Sequence, residues 1–139
     1  MFLINPFIYG APYTYLVDHS MNKSSISYLV DDYSPVLAYS TQKISSTTTN
    51  VVRLRRTSDN AESDFSASDL TDGTATTWTG ANNGEVVKFY NQGTGGSTYD
   101  FIQVTASAQP TLILSGVMTE LNGVPTLNFD GRNDYLYKT

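Results

Sequence analysis

A chain of 139 residues with net charge −5, 15% charged residues and no cysteine suits one ordinary domain or one part of a larger one. Its negative charge is repelled by phosphate backbones and anionic membranes, so general nucleic-acid binding is not expected, and the missing thiols exclude disulfides and thiolate metal sites. Ten tyrosines and an aromatic fraction of 12%, set among Ser, Thr, Asn and Gly, favour strands and turns over helices, because β-branched and aromatic side chains fit a pleated surface.

In chain order, residues 1–33 read as an arm. MFLINPFIYGAPYTYLVDH carries no Lys or Arg before Lys23, and Asn5, Pro6, Gly10 and Pro12 interrupt its apolar run. Neither a signal peptide nor a membrane insertion is therefore expected. Tyr9, Tyr13, Tyr15, Tyr28 and Tyr33 lie among Pro, Gly and Ser without sustained periodicity. Tyrosine covers large contact area at low entropic cost. The segment reads as an arm that docks on a partner or neighbouring subunit, with Phe7, Tyr9, Tyr13 and Tyr15 as its anchors. The alternative is a segment draped over the protein's own core. His19, with no Ser or Asp at a recognisable spacing, is an ordinary surface or interface histidine.

Residues 34–50 read as a short helix and a linker. Ser34 suits an N-cap, Pro35 the first helical position, and Val36, Leu37, Ser40 and Ile44 approximate a 3.6-residue stripe over 35–44. SSTTTN then ends the helix. From residue 51 to 139 the signals are β. Strands are expected at Val51–Arg56, Val86–Tyr90, Thr111–Leu114, Pro125–Phe129 and Tyr135–Tyr137. Asn122-Gly123, Asp130-Gly131 and Asn133-Asp134 supply the residues that tolerate positive φ in tight turns.

Within VVRLRRTSDNAESDF, Arg53, Arg55 and Arg56 face an equal number of acids, Asp59, Glu62 and Asp64. A phosphate-binding patch needs an excess of cations. A balanced stretch instead points to internal pairing, because a guanidinium fork is accepted bidentately by a carboxylate and TSDN can turn the acids back beside the strand. Glycoside hydrolysis needs two carboxyl groups facing across a sugar, and spacing selects no pair among Asp59, Glu62, Asp64, Asp69, Asp72 and Glu85. The Gly-rich NQGTGGST lacks the Lys-Ser/Thr ending of a phosphate loop and reads as an ordinary loop. Trp78, Tyr90 and Tyr99 are the candidates for stacking on a sugar ring, although a single Trp in a β domain is more often a core residue. Asp130, Asn133 and Asp134 have oxygen-ligand chemistry for calcium, but a turn between strands uses the same residues. No catalytic, cofactor-binding or metal residue is assigned, and no cofactor is expected.

Taken in order, Ala38-Tyr39-Ser40, VVRLRRTSDNAESDF, VVKFYNQGTGG, AQPTLI and NGVPTLNFDGRNDYL resemble a laminin-G-like, concanavalin-A-type β-sandwich module of phage and bacterial proteins. They are also similar to the N-terminal part of the fungal α-L-arabinofuranosidase B catalytic domain. The resemblance covers roughly residues 36–137, with Asn91 standing where the family usually has the acid of Tyr-Asp-Gln. It implies a mainly β fold, a partial or reduced concanavalin-A-like sandwich preceded by the arm and a short helix. In such sandwiches many strands follow the FDG-x-x-DYL element, so the β module over 51–139 is expected to be incomplete. The catalytic carboxylates of the arabinofuranosidase-like enzymes lie downstream of this region, so no activity carries over. The LINPF-type opening resembles the start of phage structural proteins. The implied function is a non-enzymatic virion protein, a tail or capsid accessory or host-adhesion component. Its expected partners are other virion proteins and copies of itself. A carbohydrate-binding module for host surface glycan, or a fragment of a glycoside hydrolase, are the alternatives.

Overall fold

The computed structural model describes residues 28–138. The anchors Phe7, Tyr9, Tyr13 and Tyr15, and His19, lie outside the described residues. The chain is mainly β, with antiparallel sheets and three short helices among the described residues.

The first helix, α1, is Leu29–Tyr33, and Ser34 closes it in the left-handed conformation at φ 48°. Ser34 therefore ends a helix rather than starting one, and the helix expected at 35–44 does not form. Its backbone groups have stronger partners elsewhere. Gln92 N donates to Ala38 O at 2.7 Å, Thr94 N to Pro35 O at 2.8 Å and Gly95 N to Val36 O at 3.0 Å. Val36 and Leu37, half of the supposed stripe, are about half exposed (53% and 51%), so no apolar surface rewards a helical turn there.

Strand β1 (Val52–Arg56) is central, pairing antiparallel with β2 (Glu62–Phe65) and β3 (Gly84–Phe89). The β1–β2 turn is closed by Arg56 N to Ala61 O at 2.8 Å, with Asn60 at φ 58°. Between β2 and β3 lie two helices that the β-rich composition conceals. Helix α2 (Ala67–Thr71) begins at a reciprocal cap in which Ser66 and Asp69 each bond the other's backbone N–H; this is the Ser-x-x-acid start signal. Helix α3 (Thr74–Thr79) follows Gly73 at φ 90°. Strands β4 (Phe101–Ile102) and β5 (Thr111–Leu114) both lie along β3, at opposite ends of it, and β6 (Val117–Met118) adds to β5. The sheet order is β2-β1-β3-β5-β6.

A separate hairpin joins β7 (Glu120–Leu121) to β8 (Val124–Pro125). Its turn is Asn122-Gly123, both at positive φ, as the twist of a two-residue hairpin demands. Ser115-Gly116 does the same between β5 and β6. Asn133-Asp134 has no positive φ; Gly131 supplies it in that loop. The expected strand Pro125–Phe129 reduces to the end of β8 plus an isolated bridge from Asn128 to Thr111. Tyr135–Tyr137 reduces to a bridge from Tyr137 to Ile102.

One face of the sheet carries the core: Val52, Leu54, Phe65, Val86 and Ile113, closed by Leu70, Ala75 and the partly buried Trp78, Leu127 and Leu136. Gly84 lets α3 approach, since a Cβ there would meet Thr79 at 3.0 Å and Ile113 at 3.3 Å.

The segment 35–44 is fastened by two side-chain amides that project from the loop after β3. Asn91 Oδ1 accepts from Ala38 N at 2.8 Å while its Nδ2 donates to Val36 O at 3.0 Å. Gln92, 2% exposed, accepts from Ile44 N at 2.9 Å and donates to Ser40 O and Gln42 O, each at 2.8 Å. Asn91→Asp is isosteric, yet it replaces a donor with a buried charge facing the Val36 carbonyl. Chemical denaturation at neutral pH should show a loss of roughly 2–4 kcal/mol. A loss under about 0.5 kcal/mol would mean the segment is held by other contacts.

Candidate functional site

The opposite face of the sheet is polar, and its register explains its contacts. Arg53 sits directly across from Asp64, and its Nε and Nη2 donate to Asp64 Oδ1 and Oδ2 at 2.6 and 2.9 Å. The Tyr90 hydroxyl donates to the same Oδ1 at 2.6 Å. The Arg53 guanidinium, and then the Tyr90 hydroxyl, hold the Asp64 carboxyl below the usual carboxylate range against the opposing effect of burial. Burial first, then its bond to Asp64, pushes the Tyr90 phenol up.

Arg56 forms the second fork, on Asp59 at 3.0 and 2.6 Å. That bond, with the Ala61 N–H, brings Asp59 down to about 2. Arg56 also donates to Trp78 O at 2.6 Å and lies 4.8 Å above the Trp78 ring. Arg55 takes no carboxylate among the described residues. It stands opposite Glu62 and Glu85 in the register but donates to Gln109 Oε1 at 2.7 Å and Asn60 Oδ1 at 3.0 Å. Glu62 is exposed and forms no ion pair among the described residues. A third pair joins Lys88 Nζ to the buried Asp100 Oδ2 at 3.6 Å, while Asp100 Oδ1 accepts from Asn91 N at 2.9 Å.

The three aromatics considered for sugar stacking are not brought together: no ring contact joins any two of them among the described residues. Trp78 meets the edge of Phe65 at 5.2 Å and is covered by Arg56. Tyr90 is tied to Asp64 under Lys88, and Tyr99 lies under Lys138. The Asp130 loop is closed on itself. Asp130 Oδ1 accepts from the N–H groups of Arg132, Asn133 and Asp134 at 2.9 to 3.3 Å, and Asp134 Oδ2 accepts from Asp130 N at 2.9 Å. The Asp130 carboxyl is lowered by those N–H groups. Among the described residues no three His, Asp or Glu side chains converge as metal ligands. The Gly-rich loop serves packing: a Cβ on Gly93 would lie 2.5 Å from Val36 O, and one on Gly95 2.8 Å from it.

Sequence reasoning missed an apolar groove of about 540 Å³. Phe89 and Phe101, opposite one another on β3 and β4, form one wall, backed by Tyr39, whose ring stacks on Phe101 at 4.5 Å. Leu127, Phe129, Tyr135 and Leu136 form the other. Phe129 and Tyr135 remain 47% and 51% exposed. These residues are remote in sequence, and only the FDGRNDYL stretch hinted at them. Two smaller hollows, of about 350 and 440 Å³, are lined largely by Ser and Thr residues beside Asp31 and Lys43 respectively.

Comparison with protein-family models, with curated proteins and with solved structures finds no match.

The Arg53–Asp64–Tyr90 cluster gives a pH signature. Asp64 ionises more readily folded than unfolded. Its contribution is therefore complete above the unfolded carboxylate value near 4, and falls away as the pH drops through the lowered folded value. Asp64→Asn should cost about 1–2 kcal/mol at pH 7 and flatten the acid limb of stability below about pH 5. Parallel acid limbs for both proteins in urea titrations would refute the pairing.

Proposed function

We propose that this chain is a non-catalytic structural or adhesion component of a phage particle that docks through its N-terminal segment. The observation that carries this reading is how the chemistry-bearing side chains are used. The clusters around Arg53, Arg56 and Asp130 are closed on themselves, and Asn91 and Gln92 are taken up by the chain's own backbone. The groove beside Phe89 and Phe101 is apolar and aromatic, the surface type of docking rather than of bond-making. The sequence resemblance to phage structural modules supports the same reading. A sugar platform centred on Trp78 is disfavoured, because Phe65 and Arg56 already cover that ring.

The finer fold reading, a reduced concanavalin-A-type sandwich, belongs to this proposal. It is supported by the antiparallel sheet, by the β7–β8 hairpin as the start of a second layer, and by Leu127 and Leu136 packing onto the core from the C-terminal stretch.

Deletion of residues 1–27 tests the docking. It spares α1, whose Val30 N–H bonds Ile44 O and whose Asp31 carboxylate accepts from Ser46 N. Quantitative mass spectrometry of purified particles should find the full chain and lose the shortened one. Equal incorporation of both would sink the reading.

A further inference from the structure

We propose that Asn122, in the turn between β7 and β8, is a site of spontaneous deamidation, converting to aspartate and isoaspartate through a cyclic imide. An asparagine followed by glycine suits this reaction best, because glycine leaves its own main-chain nitrogen unshielded. The chain holds two such pairs, Asn83-Gly84 and Asn122-Gly123, and two Asp-Gly pairs that can form the same imide, Asp72-Gly73 and Asp130-Gly131. The fold restrains three of the four. Asn83 Oδ1 accepts from Ser115 N at 2.8 Å, and its Nδ2 donates to Glu85 Oε1 at 3.2 Å. Gly84 is buried within β3, in register with Arg56 and Ile113. Asp72 Oδ1 accepts from Thr74 N at 2.9 Å, and Asp130 Oδ1 is held by three N–H groups of its own loop. Asn122 and Gly123 are both exposed. Among the described residues, the Asn122 side chain and the Gly123 N–H have no hydrogen-bond partner.

The chemistry needs only water. Gly123 N, on losing its proton to hydroxide, attacks Asn122 Cγ. The N–Cγ bond forms, the Cγ–Nδ2 bond breaks, and Nδ2 leaves as ammonia after taking up a proton from water. A second water opens the five-membered imide at either carbonyl. Opening at Cγ gives aspartate, and opening at the main-chain carbonyl gives isoaspartate. Either product sets a new carboxylate two residues from Glu120. The attack requires the main chain at Asn122 to rotate out of its turn geometry, in which φ is 54°. Strands β7 and β8 have two residues each and form a sheet of their own, and a hairpin that short opens at little cost. The same rotation at Asn83 would disrupt β3 at the centre of the main sheet. Isoaspartate routes the main chain through the former side chain and adds one carbon to a two-residue turn, so the Leu121–Val124 pairing is lost. Below the turn, the Thr119 N–H and hydroxyl both bond Leu112 O of β5, which confines the change to the hairpin. The inference is independent of the particle reading.

Incubation of the full chain in ¹⁸O-labelled water at mildly alkaline pH, followed by peptide mapping, tests it. Asn122 should convert about tenfold faster than Asn83, because reaction follows the population of the opened main chain. Both aspartate and isoaspartate should form at position 122, each carrying the water label, and the rate should rise with hydroxide concentration. In urea, where neither pair is held by the fold, Asn83 should catch up with Asn122. Three results overturn the proposal. The first is conversion of Asn122 no faster than that of Asn83 in the folded chain. The second is aspartate without isoaspartate, which means direct hydrolysis of the amide with no imide. The third is a difference between the two sites that persists undiminished in urea and so comes from the neighbouring sequence, not from the fold.

Discussion

Pairing the polar groups of irregular backbone is the constraint on which the rest of this structure depends. A segment that is neither helix nor strand has no regular partners for its N–H and C=O groups, and each one removed from water unpaired costs about 1–3 kcal/mol. Residues 35–44 are such a segment, lying against the loop that leaves β3. The solution is two primary amides, each able to donate and accept. Asn91 serves Ala38 and Gly93 with its oxygen and Val36 and Gly96 with its nitrogen. Gln92 serves Ile44, Ser40 and Gln42. A carboxylate at position 91 could not donate to the two carbonyls, which gives a physical reason for asparagine in this chain. Gly93 and Gly95 complete the arrangement by leaving room for the carbonyls of Pro35 and Val36.

The same economy governs the charged face. An arginine half in water gains little from an isolated carboxylate. Here the strand register sets Arg53 opposite Asp64 before any side chain chooses a rotamer, so less entropy is lost in forming the fork. Tyr90 then uses a lone pair of Asp64 that Arg53 leaves free. Arg56 is organised locally instead, by a turn that returns Asp59 within three residues and by the Trp78 ring below it. Arg55 shows that formal charge balance is not pairing. Its neighbours in the register are acids, yet its Nε and Nη1 donate to the amide oxygens of Gln109 and Asn60, and Glu85 is engaged by Asn83 and Thr111.

Much of the sheet was legible because β1 alternates apolar residues with arginines, and β3 and β5 carry short apolar runs, Val86-Val87 and Leu112–Leu114, beside turn residues. The helices were not. Helices α2 and α3 are five and six residues long, too short for a 3.6-residue period to emerge. Their real signals are the Ser66–Asp69 cap and the flanking Gly73 and Gly80. The helix expected at 35–44 had a cap residue, a proline and a stripe, but periodicity cannot reveal that Asn91 and Gln92 offer competing partners more than forty residues away. The site divides along the same line. The arginine–acid stretch is local and could be read directly, whereas the groove joins residue 89 to residue 136 through strand pairing that only the fold reveals.

These contacts also define how the module connects to whatever precedes it. Residue 28 leads into α1, which is bound to the 44–46 stretch through Val30 and Asp31. That stretch is bound in turn by Gln92, and the loop bearing Gln92 continues directly from β3, the strand with most neighbours in the sheet. A pull on the N-terminal side would therefore reach the sheet through side-chain amides at the end of its best-supported strand, not through a frayed edge. Amide clamps of this kind are short-ranged and depend on geometry. The two glycines that let the carbonyls in are thus as necessary to the connection as the amides themselves. For a chain without cysteine, this replaces the covalent staple with a set of hydrogen bonds that can form only once β3 is in place.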